Sequence, residues 1–506
     1  MDITANIELL LKYAVKNRLI AGLDVEVSRN LLFDLLDISR PFDGQINEVI
    51  NDLDAILAPI LDYAFEKGLI EEDTTTRRDL FEGKIMGILT PRQSEVEATF
   101  LAIEKEQGAQ AATDYFYKLS SATNYIKTTR LKKNLHWNCQ TDFGELEITI
   151  NLSKPEKDPR DIAKMLEAGG TSYPQCLLCV ENIGFAGNIN HQARQNHRII
   201  PMRLAGEDWY LQFSPYSYYP EHCIPLYSRH RPISISGATF EKLLDFLERF
   251  PHYFVGSNTD LPIVGGSILN HDHFQGGRYT FPIEKAGVLS RYILEEVNAE
   301  IVKWPMSVIR LRSENREQLT QAATAILAKW RDYEDKSVRI LPKTGDSIHN
   351  TITPIARINA DGKYELYVVL RNNRTSAERP DGIFHPHPDV HHIKKENIGL
   401  IEVMGLAILP GRLKEETQLI AGYLLGEKDI AGIDAGHLLH KHKAWVVEML
   451  SEGRAATPEQ AGARIEKAIG QKFLEGLCHA GVFKTDATGH AAFQKFLASC
   501  GAREVV

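Results

Sequence analysis

The chain has no apolar run approaching the ~18 residues that a bilayer-spanning helix needs, so a membrane-spanning helix is not expected. It has no excess of positive charge: 58 Lys and Arg stand against 67 Asp and Glu, a net −9. A nucleic-acid-binding surface would carry a basic footprint, and that class is set aside. The start, Met1-Asp2-Ile3-Thr4-Ala5-Asn6, lacks the cationic opening and apolar core of a secretory signal. Cysteine is scarce, six in 506 residues, too few for a disulfide framework at this size. A reducing cytoplasm is the natural expectation. What remains is 43% hydrophobic and 25% charged residues. That is a globular composition, long enough for several domains or one large core with appended elements.

Hydrophobic period divides the chain into three regions. Residues 1–134 read as helical, with Ile46, Val49, Ile50, Leu53, Ile56, Leu57 and Ile60 at helical spacing and a further helix from about Ser94. The region ends in a basic cluster, residues 127–134, expected to be a solvated face, with an approach to substrate phosphates as the minor alternative. Residues 135–413 carry strand signatures at 144–152, 209–213, 223–227, 254–258, 353–359 and 364–370. They also hold helices near 158–168 and 239–250. Residues 414–506 are helical again, and His437, His440 and His442 there are expected on a solvated helix face. The fold class expected is α+β, an antiparallel sheet core with helical N- and C-terminal regions. A second His-x-His, His385 and His387, hints at internal duplication, with pseudo-repeats 135–300 and 301–413.

The densest chemistry lies between Gly265 and Gly277. If this stretch is extended, residues two apart share a face at about 6.6 Å, which groups His271, His273 and Gln275. A neutral imidazole is a competent nucleophile or metal ligand, and an adjacent amide donates to a phosphate or oxyanion. The glycine pairs Gly265-Gly266 and Gly276-Gly277 let backbone approach a ligand or turn sharply. Paired histidines in a strand are otherwise polar residues of a wet face, and glycine pairs otherwise mark turns. The apolar lead-in Leu261-Pro262-Ile263-Val264 and the clustering favour a site for nucleophilic chemistry on phosphorus. Asn258, Gly265, Gly266, Ser267, Gly276 and Gly277 are its candidate substrate-binding residues.

Cys176-Leu177-Leu178-Cys179 has the two-residue gap that lets both thiolates reach one zinc ion. The alternatives are a redox disulfide, which needs a thioredoxin-like setting not seen here, and two buried free cysteines. His230 and His271 are available as further ligands and raise zinc above the alternatives.

Over nearly its full length the sequence resembles the second bacterial type of UDP-glucose–hexose-1-phosphate uridylyltransferase, the galactose-1-phosphate uridylyltransferases. The resemblance rests on residues 173–187, on Gly265 to Gly277, and on residues 151–159. A more distant likeness to the histidine-triad superfamily rests on the His-x-His-x-Gln pattern and implies a histidine-triad-like core. In the first type of the family the corresponding stretch reads His-Pro-His-Gly-Gln, and its second histidine is the nucleophile. That implies His273 as nucleophile and Gln275 as donor to the phosphoryl oxygens, with Asp272 and Phe274 replacing the family's Pro and Gly. It implies Cys176, Cys179, His230 and His271 as ligands of a structural zinc. A second metal site of the first type has histidines that could match His349, His385 and His387. The resemblance further implies UDP-glucose and galactose-1-phosphate as substrates, no organic cofactor and a homodimer. Two other functions fit the same residues. One is a different nucleotidyltransferase or phosphorylase of the superfamily; the other is a non-catalytic, zinc-stabilised nucleotide-sugar binder.

Overall fold

The computed structural model describes residues 2–46, 52–153, 173–266, 268–395 and 397–505. The helix expected at 158–168, Val49 and Ile50 of the expected helical stripe, and Ser267 lie outside the described residues. Contacts divide the chain into two compact units, Met1–Lys133 with Ser153–Arg231, and Asn134–Leu152 with Pro232–Val506. The cuts differ from a division into 1–134, 135–413 and 414–506, and strand pairing gives the reason. The hairpin Leu135–Thr141 and Gly144–Asn151 takes Leu406–Pro410 as a parallel partner, which draws it into the second unit. The strands Ile200–Leu204, Glu207–Phe213 and Cys223–Tyr227, an antiparallel meander, belong to the unit of the N-terminal helices.

In the first unit the helices Ile3–Lys16, Val25–Leu36, Leu53–Glu66, Thr75–Leu89, Gln93–Gln107 and Ala109–Ala122 carry apolar stripes that sequence periodicity marks. Ile56, Leu57 and Ile60 are buried on one face of Leu53–Glu66. Each such side chain contributes about 1.5–3 kcal/mol when fully withdrawn from water. Two contacts lock helices to the meander. The Gln93 side chain exchanges hydrogen bonds with the Ile199 backbone, donating at 2.6 Å and accepting at 3.1 Å. Phe116 packs on Phe213 with ring centroids 5.2 Å apart. The basic cluster is a solvated face only in part: Lys132 and Lys133 are exposed, whereas Lys127 and Arg130 are paired. Lys127 Nζ reaches Asp79 and Glu82 at 3.0 and 2.6 Å, and Arg130 grips Asp79 with two bonds. Glu82 is buried and Asp79 half-buried, and the burial of Glu82 demands a cation, because an unpaired buried carboxylate is costly.

In the second unit, strands run in the order Arg503–Val505, Val288–Leu294, Val297–Val302, Val308–Ser313, Tyr364–Asn372, Asn350–Ile358, Phe254–Gly256, Gln275–Gly277. Every neighbouring pair is antiparallel. This is the α+β class that the alternating strand patterns and flanking helical patterns predict. The Gly237–Arg249 helix buries Phe240, Leu243, Leu244 and Leu247, and its N-terminus is fixed by Ser236 N–H donating to Thr239 Oγ1 at 3.0 Å. The C-terminal helices Leu413–Leu424, Lys443–Ser451, Pro458–Ala480 and Ala487–Ser499 complete this unit.

His437, His440 and His442 do not share a solvated helix face. His440 is exposed, whereas His442 ends a short 3-10 turn and is 0% exposed. Its Nε2 lies 3.0 Å from Glu416 Oε2, and its Nδ1 lies 2.8 Å from His392 Nδ1. The neighbouring lysines hid a buried polar chain.

Candidate active site

His273 sits just before the strand Gln275–Gly277, whose partner Phe254–Gly256 places Gly256 opposite Gln275. The strand is shorter than the sequence pattern suggests. Between His271 and Phe274 both alternating sets of side chains are buried, so a two-residue period is not visible there. What orients His273 is its own backbone: Nδ1 lies 2.7 Å from the His271 carbonyl oxygen. A carbonyl only accepts, so the proton is on Nδ1 and the lone pair on Nε2. Nε2 has no hydrogen bond among the described residues. Burial pushes the imidazole pKa down to about 4 against the opposing pull of that hydrogen bond, so the ring is neutral near pH 7. His271 is 1% and His273 6% exposed.

The segment leading into this histidine is closely packed. Asn258 Oδ1 accepts from Leu400 N–H at 3.0 Å. A Cβ at Gly266 would come 2.6 Å from Asn258 Nδ2, and one at Gly265 2.7 Å from the Leu261 carbonyl. Glycine is therefore required at both positions by close approach within the loop itself. Asp260 anchors the loop's start, accepting from Ile235 N–H at 3.0 Å and from Thr351 Oγ1 at 2.6 Å. Sequence reasoning missed Asp260, because an isolated aspartate before Leu-Pro carries no pattern.

In the first unit, Cys176, Cys179 and His230 come together with ligand atoms within 4.8 Å of one another. The two sulfurs are 3.5 Å apart, and His230 Nδ1 is 3.3 Å from Cys179 Sγ. No disulfide joins the cysteines. Asn182 Nδ2 donates to both cysteine carbonyls at 2.8 Å, which wraps the backbone around the pair. Burial and the neighbouring Cys176 sulfur push the Cys179 thiol up to about 12. A divalent cation reverses such a penalty, because a coordinated thiol ionises. The donor set fits zinc, which takes Cys and His in tetrahedral sites.

His349, His385 and His387 are not gathered around a common point. His349 and His385 each have both ring nitrogens engaged. His387 instead stacks on His479, ring centroids 4.0 Å apart. The second His-x-His lies in a loop rather than on a strand.

A buried histidine with one nitrogen tied down and the other open is the equipment of a group-transfer enzyme that works through an imidazole. Comparison with known proteins carries the assignment further. The model of the galactose-1-phosphate uridyl transferase N-terminal domain matches residues 33–232, and that of the C-terminal domain matches residues 246–446. A galactose-1-phosphate uridylyltransferase of Caldanaerobacter subterraneus subsp. tengcongensis is 53% identical, the match covering 100% of this chain and 99% of the relative. Those of Bacillus subtilis and Clostridium acetobutylicum are 50% and 51% identical over 100% and 98% of this chain and 99% of each relative. The chain belongs to the galactose-1-phosphate uridylyltransferase family. Among solved structures, yeast Ap4A phosphorylase Apa2 aligns over 65% of this chain and 89% of its own at 14% identity. Its TM-score of 0.31 marks a likeness too weak to bear on function.

Proposed function

We propose that this chain moves UMP between UDP-glucose and galactose-1-phosphate by double displacement through His273. The single observation that carries the reading is the Nδ1 anchor on the His271 carbonyl, which leaves Nε2 as the nucleophilic atom. In the first displacement the Nε2 lone pair forms a bond to the α-phosphorus of UDP-glucose. The bond from phosphorus to the glucose-1-phosphate oxygen breaks, and its electrons leave with that oxygen. No general base is needed, because Nε2 carries no proton. The uridylylated ring is cationic, and its Nδ1–H still points at a carbonyl that eases the charge. In the second displacement a phosphate oxygen of galactose-1-phosphate attacks the same phosphorus. The P–N bond breaks, UDP-galactose leaves, and the imidazole is neutral again.

Negative charge on the phosphoryl oxygens needs preorganised donors. Gln275 is the side-chain candidate, assisted by backbone N–H groups of Gly265, Gly266, Gly276 and Gly277, with Asn258 shaping the loop. Zinc, bound by Cys176, Cys179 and His230, would supply a rigid cross-link rather than a reacting group. His271 is the proposed fourth ligand, because a fourth donor is needed and the sequence resemblance matches it to a metal position. The reading carries with it a histidine-triad-like core, a cytoplasmic setting where thiols stay reduced, and a homodimer that light scattering would test.

Intact mass after mixing with UDP-glucose tests the function. The expected result is a gain of one uridylyl group in the native chain and none in His273→Ala. A native chain that binds UDP yet never gains the adduct would make it a nucleotide-sugar binder instead.

A further inference from the structure

The segment between Asp260 and Gly266 holds an unusual backbone. Ile263 has φ +73°, a left-handed conformation that a β-branched residue adopts only at a cost of order 1–3 kcal/mol. Such strain persists only where the surroundings over-determine it. Two side-chain relays on either side of Ile263 do so. Asn373 Nδ2 donates to the Pro262 carbonyl at 3.3 Å, and Asn373 Oδ1 lies 2.9 Å from His349 Nδ1. Asn397 Nδ2 donates to the Gly265 carbonyl at 3.3 Å, and Asn397 Oδ1 lies 3.1 Å from His385 Nε2.

Each asparagine amide is oriented by the carbonyl that its nitrogen serves. Its oxygen therefore faces the histidine, and the histidine must be the donor. His349 meets that demand with its proton on Nδ1, while Nε2 accepts from Thr344 Oγ1 at 2.9 Å. His385 has an acceptor at each nitrogen, Asn397 Oδ1 at Nε2 and the Pro386 carbonyl at Nδ1, 2.9 Å away, so its neutral ring bonds Asn397 in the tautomer that carries the proton on Nε2. Both histidines are buried, so the donated proton is not traded for water. The second asparagine belongs to a stretch that is itself pinned. Arg371, 1% exposed, donates to the Ile398 carbonyl at 2.9 Å, and Leu400 N–H bonds Asn258.

We propose that His349–Asn373 and His385–Asn397 are two positioning pairs that hold the Pro262–Gly266 turn in the shape that receives the transferred phosphoryl group. The inference rests on the proposed uridylyl transfer and adds residues that act through the loop rather than on the substrate. It also accounts for two histidines that are not brought together as a metal cluster: one nitrogen of each faces an asparagine that serves the loop, and the other is engaged by Thr344 or by the Pro386 carbonyl.

The test compares His385→Phe with His385→Gln, and Asn373→Leu with His349→Asn. Phe keeps an aromatic ring and removes the donor; the Gln amide can reach Asn397 as Nε2 does, and the Asn amide can reach Asn373 as Nδ1 does. Two measurements are made on the full chain. One is the single-turnover rate of uridylyl-enzyme formation from UDP-glucose; the other is hydrogen exchange in peptides spanning residues 258–270. Neither His385 nor Asn373 belongs to the proposed zinc group, so zinc content serves as the folding control. His385→Phe and Asn373→Leu should slow adduct formation about 10²-fold, the scale of an ångström of misplacement, with faster exchange across the turn. His385→Gln and His349→Asn should recover most of the rate. Native exchange at 258–270 in both disabling variants would overturn the proposal, as would native adduct rates. If the native chain forms no adduct, the functional reading fails, and the exchange measurement still decides the positioning pairs.

Discussion

The Nδ1 of His273 and the carbonyl oxygen of His271 stand 2.7 Å apart, a contact between a ring and its own chain two residues earlier. It fixes the tautomer without any acidic partner. It also leaves Nε2, the proposed nucleophilic atom, open while Nδ1 is held.

Replacing His273 by Asn keeps a polar group but removes the second nitrogen. Uridylyl transfer should fall below detection in a coupled assay, with the unfolding midpoint little changed. Replacing Gln275 by Ala should lower kcat roughly 10²-fold, the scale seen on losing one oxyanion donor. An unaltered kcat in Gln275→Ala would remove that residue from the mechanism.

Cys179→Ser should reduce bound zinc, measured by metal analysis of the purified chain, and lower the thermal midpoint. Cys179 lies 3.3 Å from His230 and 3.5 Å from Cys176, so it is central to the donor group. Native zinc content in this variant would rule the group out as the metal site.

Gly266→Ala places a methyl group 2.6 Å from Asn258 Nδ2. Overpacking of this kind costs about 1–3 kcal/mol, readable in denaturant unfolding. The loop shift should also slow adduct formation, since Asn258 holds Leu400 through its other side-chain atom.

The pair formed by half-buried His392 and buried His442 gives a pH dependence. Burial, ahead of neighbouring cations, pushes His392 down to about 4, and burial likewise lowers His442. With His442 Nε2–H donating to Glu416, its Nδ1 is an acceptor for His392 Nδ1–H, which requires a neutral His442, while burial and the neighbouring cations oppose a charge on His392. In the unfolded state these rings take up protons below about 6.5. Stability contributed here is therefore present above pH 6.5 and lost progressively as pH falls toward 4. Urea unfolding at pH 7 and pH 5 should show the loss, and His392→Asn should reduce it. An identical pH slope in that variant would exclude the pair as its source.

Much of the fold was legible where one local pattern dominated. Cys223–Tyr227 and Tyr364–Asn372 follow from their β-branched and aromatic residues, and the Gly237–Arg249 helix follows from Phe240, Leu243, Leu244 and Leu247. The candidate nucleophile stood out because two histidines, Gln275 and four glycines fall within thirteen residues. Long-range partnership was not legible. Nothing local to Asn373 or Asn397 tells that each serves a carbonyl more than a hundred residues away. The lysines around His442 suggested solvent, and only its distant partners Glu416 and His392 explain its burial. Lys127 and Arg130 read as a free basic surface because Asp79 and Glu82 lie some fifty residues earlier in a different helix.

The parallel pairing of Gly144–Asn151 with Leu406–Pro410 bears on how the chain is made. A ribosome delivers the first strand about half a chain before its partner, so this edge stays open through about half of synthesis. Contacts so distant in sequence close late and slowly. In the interval an uncovered strand edge invites pairing with other chains. Fragments that stop short of Leu406 should therefore accumulate as aggregates. The last third of the polypeptide thus acts as a closing clasp for one of its earliest hairpins.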